Sequence, residues 1–299
     1  MCAACLSVAA PAADDFDDSS FNESLAAESS ASARLEQQLH VDILSEGTSS
    51  RRLRRSAADE LPLQRLTPEG RRLADSVLDQ LSVHRRLPVV RCETDPRVLQ
   101  FFLQHPDVAV GVWRAMDVSD MQLEKIGPHR YRSNCGDGSS GVMSVLIADH
   151  NQHLVHCQGL FKSPVLTRAI EASALMWLRM ETQRDATGRE FTQCTADVFV
   201  AFPSNTVETA ARIVSPVSNR IADRNFHEVT MFVRMMHLAM TQQPGWVEQI
   251  AGSLRGVSPE GGQALVNTAA QVFVDAQKRG AIAPSNSLTP EGLRLPIRR

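Results

Sequence analysis

With 299 residues, 43% of them apolar and 22% charged, the chain can bury a sizeable core without disulfide or metal staples. Its formal net charge of -3 excludes bulk attraction to a phosphate backbone, so nucleic acid is not an expected partner. No apolar run approaches the roughly 20 residues that cross a bilayer as a helix, so no transmembrane segment is expected.

Residues 1–13 are small and apolar and end in an A-x-A-like step before Asp14. This is the pattern of the back end of a secretory signal, without its charged start. The expectation is therefore cytoplasmic, or exported if the stretch is part of a signal peptide. Residues 14–65 are rich in Ser, Ala, Asp and Glu and carry one basic knot, Arg51-Arg52-Leu53-Arg54-Arg55. Too little apolar surface is present to offset the ordering entropy, so 1–65 reads as a disordered or signal-like tail and linker. The knot reads as a solvated charge cluster or a docking site.

The expected domain runs over 66–257. Thr67, Pro68 and Glu69 carry the cap, first-turn and dipole signals of a helix start, and Leu73, Val77, Leu78 and Leu81 continue it to about residue 84. Val89 to Cys92 is a short strand, and Asp95-Pro96 and Pro106-Asp107 open two further helices. The period then changes to two. Strands are predicted at 121–133, 141–148, 152–162, 169–183 and 189–202, separated by turns such as Gly136-Asp137-Gly138 and Asp185-Ala186-Thr187-Gly188. Met143, Val145 and Ile147, then Val155 and Cys157, then Met176, Leu178 and Met180, then Cys194, Ala196, Val198 and Val200 alternate onto one inner face. Glu171, Arg179, Glu181, Gln193 and Asp197 fall on the other, so a sheet with one wet face is expected. Past Phe202 the period returns to 3.6. A long helix, broken or kinked at Pro216, carries Ile221, Val229, Phe232, Val233, Met236 and Met240. Shorter helices follow near 246–255 and 260–279, and 258–299 is read as a C-terminal helix and tail.

The fold class is thus α+β: a curved antiparallel sheet of five to six strands packed on a long C-terminal helix, with added helices at both ends. Over residues 95–243 this order resembles the helix-grip layout of the START and polyketide-cyclase-like (SRPBCC) superfamily. The resemblance implies a cavity between sheet and helix that holds a lipid, a sterol-like or a polyketide-like molecule. It also implies that some members are enzymes while many only bind.

The expected lining is Met143, Val145, Cys157, Met176, Met180, Cys194 and Val198 of the sheet with Asn225 and Met236 of the helix. Asn225 is the polar candidate, because an amide within an apolar stripe needs a partner, water or a ligand. No catalytic residue, metal or cofactor is identified. His153, His156 and Cys157 cannot converge from one strand as a tetrahedral site requires. Gly136 to Gly141 lacks the Lys-Ser/Thr of a phosphate loop. Cys92, Cys135, Cys157 and Cys194 are widely spaced and read as buried or free thiols. The leading expectation is a binding module for an apolar small molecule or lipid. A hydrolase or cyclase of the same fold is one alternative, and an adaptor with a protein partner at 14–65 or 246–279 is the other.

Overall fold

The computed structural model describes Leu39 and residues 41–161, 170–202 and 216–280. The leader at 1–13 and the helical stripe at 207–215 lie outside the described residues.

Nine strands form one antiparallel sheet: β1 (Val41–Ser45), β2 (Leu81–Arg86), β3 (Val89–Glu93), β4 (Gln122–Gly127), β5 (Arg130–Asn134), β6 (Ser140–Ala148), β7 (Gln152–Phe161), β8 (Ile170–Arg184) and β9 (Glu190–Ala201). Their order is β1-β3-β9-β8-β7-β6-β5-β4, with β2 also on β9. Seven α-helices accompany it among the described residues: α1 (Arg51–Asp59), α2 (Pro68–Leu78), α3 (Pro96–Gln104), α4 (Pro106–Ala115), α5 (Pro216–Gln242), α6 (Pro244–Ser253) and α7 (Pro259–Lys278). Helix starts follow the expected chemistry. Thr67, Asp95 and Ser258 accept from the amides of Gly70, Arg97 and Gly261, each just ahead of a first-turn proline.

The strand count exceeds the expected five to six for three local reasons. The stretch 121–133 is two strands, because His129 takes a positive φ of 58° and turns β4 back onto β5. The helix expected to reach residue 84 ends at Leu78, and Leu81–Arg86 becomes β2. Strands β2 and β3 both pair with β9, on either side of a break at Leu87-Pro88, where the Leu87 amide still donates to Ala196 O at 2.9 Å. Order also begins before Leu66. Residues 41–65 supply β1, α1 and a 3-10 turn at Leu63–Arg65, which corrects the reading of that stretch as tail, while 1–38 lie outside the described residues.

Between β6 and β7 the glycines Gly141 and Gly159 stand opposite each other. A Cβ on Gly159 would sit 2.2 Å from Ser140 O and 2.7 Å from Gly141 Cα, so the close approach of the two backbones requires glycine.

Both faces of the sheet are covered. The larger core joins the inner face to α3–α7 and contains Met143, Met176, Met180, Met235, Met236 and Met240. A second core lies on the opposite face, where Ala57, Leu61, Ala74 and Val77 of the N-terminal region pack on Leu154, Leu175, Trp177 and Phe199. The expected wet face is therefore covered at its centre. Ile147 belongs to this second core, because a register shift between Val145 and Ile147 moves the end of β6 to the other face.

Candidate functional site

The inner face and α5 enclose a small space lined by Cys92, Thr94, Leu99, Leu178, Thr192, Cys194, Phe226, Val229, Thr230 and Val233. Strands β3 and β9 bring Cys92, Thr192 and Cys194 to one face, since Cys92 stands opposite Thr192 and Cys194 lies two residues further on. On α5, Phe226, Val229, Thr230 and Val233 recur at spacings of three and four and present one stripe to the sheet. The enclosed volume is about 10 Å³, close to that of a single water molecule. The Thr230 hydroxyl donates to Phe226 O at 3.1 Å. Thr192 Oγ1 is buried without a hydrogen-bond partner, so the wall carries one unused polar group.

Of the expected lining residues, Cys194 borders this space directly. Met180 stands opposite it on β8, and Met176 pairs with Val198 two steps along the same face. Met143 pairs with Cys157, and Val145 with Val155, farther across the same face. Met236 follows Val233 on α5 and is fully buried. Asn225 is half-buried on α5, adjacent to Phe226. The sheet residues thus share one face, but the space itself reaches only its β3–β9 end, and Asn225 does not border it.

The titratable groups here are quiet. Burial pushes the Cys92 thiol up to about 12, opposed only weakly by Arg234, and burial raises Cys194 too. Neither is a thiolate nucleophile at neutral pH. His153 and His156 point to opposite faces, their partners across β8 being Leu178 of the inner core and Leu175 of the outer. Burial lowers both rings to about 4. No group of three His, Cys, Asp or Glu side chains that suits a metal ion occurs among the described residues. None of their helices is long and apolar enough to cross a membrane.

Sequence reasoning missed a charged cluster on the outer face. Asp197 is fully buried there and is met by His84 Nε2 at 3.0 Å, by Arg86 through Nε at 3.0 Å and Nη2 at 2.8 Å, and by Arg179. Burial alone would raise the Asp197 carboxyl, but hydrogen bonds from His84 and Arg86 hold it below its ordinary value. Arg179 lies 4.1 Å over the Trp177 ring and reaches Glu60, just past α1, at 3.5 Å. The missed signal was apolar. Leu175, Trp177 and Phe199 interrupt the polar positions of the expected wet face, and such residues need a cover.

A second, open groove of about 410 Å³ lies between the starts of α3 and β9 and the end of α7. Its charges are mutually paired: Arg97 bridges Asp95 at 2.7 Å and Asp275 at 2.8 Å, and Arg279 reaches Glu190 at 3.3 Å. It ties α7 to the sheet and offers no unpaired charge to a ligand.

No family model matches the chain, and no curated protein matches it. Among solved structures it is similar to a conserved protein from Geobacillus kaustophilus, with 13% identity over 56% of this chain and 95% of that one, at a TM-score of 0.35. It is also similar to Ara h 8.0201, with 12% identity over 47% of this chain and 97% of that one, at a TM-score of 0.24. Likenesses of this degree leave function to be argued from the residues themselves.

Proposed function

We propose that the protein is a binding module for a small apolar molecule or lipid, held between the sheet and α5, with no chemistry of its own. The observation that carries this reading is the wall of the enclosed space: apolar almost throughout, with the Thr192 hydroxyl as an unused polar handle. Apolar walls with a few placed polar groups are the usual make-up of ligand sites. The present volume of about 10 Å³ is far below the roughly 150 Å³ of a cavity that admits benzene. Binding therefore requires the walls to part. The unbranched side chains of Met176, Met180 and Met236, in the same core, are suited to that rearrangement. The opening cost lowers apparent affinity by the fraction of molecules that are open.

The test is native mass spectrometry of delipidated protein soaked in a mixed lipid extract, beside a Val229→Ile variant whose extra methylene fills the space. The expected result is a bound species on the native chain that the variant loses while keeping its circular dichroism spectrum. Recovery of no bound species would overturn the reading. It would favour the alternative that the filled core itself supports, an adaptor acting through its surface at 14–65 or 246–279.

A further inference from the structure

Helix α1 carries Arg51, Arg52, Arg54 and Arg55, and none of them makes an ion pair with any described residue. At about 100° per residue the four span an arc of about 160°, centred nearly opposite Ala57, the side chain that α1 buries in the outer core. The arrangement is electrostatically unfavourable by itself. Arg51 repels Arg54 and Arg55 at spacings of three and four. The arginines also crowd the positive end of the helix dipole, where the first turn has no acidic residue and Ser50 makes no side-chain cap. Such a helix start is stabilised by an anion.

The same chain holds one. Residues 14–28 contain Asp14, Asp15, Asp17, Asp18, Glu23 and Glu28 and no basic residue. They lie ahead of Leu39, which Arg234 anchors through its carbonyl at 3.0 Å, and α1 begins a few residues after β1. Residue 28 lies eleven residues before Leu39 and α1 begins twelve residues after it, and flexible tethers of 11 to 25 residues span roughly 18 to 30 Å. Tethering supplies an effective concentration in the millimolar range, which favours this segment over anions from solution. We infer that the arginine face of α1 is the docking surface for the chain's own acidic segment, residues 14–28.

The test uses the full chain and a neutralised variant, D14N/D15N/D17N/D18N/E23Q/E28Q. The expected results are amide NMR shifts at residues 51–58 on neutralisation, reproduced in the native chain by raising the salt to about 0.5 M, where the Debye length is short. A heparin-derived hexasaccharide, used as an anionic probe, should bind the neutralised chain at least ten-fold more tightly than the native chain. Adding R51A/R52A/R54A/R55A should abolish that binding. Unchanged amide signals at 51–58, or equal probe binding to the native and neutralised chains, would overturn the inference. So would sedimentation equilibrium showing a native dimer that neutralisation splits, because the segment would then serve a second copy. Should the arginine variant not fold, the NMR comparison decides, since its substitutions lie outside the described domain.

Discussion

The two faces of the sheet are buried by different means. The inner face meets α3–α7 through a continuous apolar core rich in methionine, and it encloses a space the size of a water molecule. The outer face has a smaller apolar core beside a carboxylate surrounded by His84, Arg86 and Arg179. The inner contact is deformable and non-directional, because dispersion and desolvation tolerate repacking. The outer contact is directional. Its ions have left water and are stable only while every partner stays in place. On the proposed reading, a guest enters by parting the inner side, where packing tolerates it.

This contrast is open to measurement. The largest effect is expected from Asp197→Ala, which strands two guanidinium groups and His84 beneath α1. It should cost about 3 to 5 kcal/mol in urea unfolding, and a loss below about 1 kcal/mol would mean that the cluster is not coherent. Met236→Ala, at a fully buried inner position, should cost about 3 kcal/mol. It should also widen the space beside Val233 and so raise, not lower, the capture of an apolar guest.

Acid should act on both faces. His153 and His156 stay neutral in the fold down to about pH 4, whereas in the unfolded chain they take up protons below about 6.5. The folded state then holds fewer protons, so their contribution is intact above pH 6.5 and is lost as pH falls towards 4. By pH 5 each should withdraw roughly 2 kcal/mol. His156→Leu and His153→Leu should each flatten that limb in urea unfolding followed across pH, and an unchanged limb in both variants would place the acid sensitivity elsewhere. The smallest effect is expected from Thr67→Ala, where loss of the cap on Gly70 should lower stability by about 1 kcal/mol in the same assay.

The inner face was legible in the sequence because alternation is a local signal. Cys194, Ala196, Val198 and Val200 repeat every two residues, and the sheet uses them as spaced. Ile147 was misplaced because a register shift leaves no compositional trace. The order of 41–65 was hidden for another reason. Helix α1 is so basic that its one buried residue, Ala57, carries little apolar signal, and its stability comes from packing on Trp177, Leu175 and Phe199, more than a hundred residues away. Asp197 looked like a surface acid for the same reason: its partners on β2 lie 111 and 113 residues before it. The enclosed space was not legible at all, since the gap between β9 and α5 depends on how threonines and valines interlock.

The Arg234 side chain ties together parts of the chain that are made far apart in time. It holds the main-chain oxygens of Leu39 at 3.0 Å and Glu93 at 2.7 Å, 195 and 141 residues earlier. Because these acceptors are backbone atoms, substitution of either side chain leaves the clasp available. A growing polypeptide, however, lacks it until residue 234 has left the ribosome. Strand β1 must wait for its fastening, so folding should be slow, with β1 among the last strands to gain protection from hydrogen exchange.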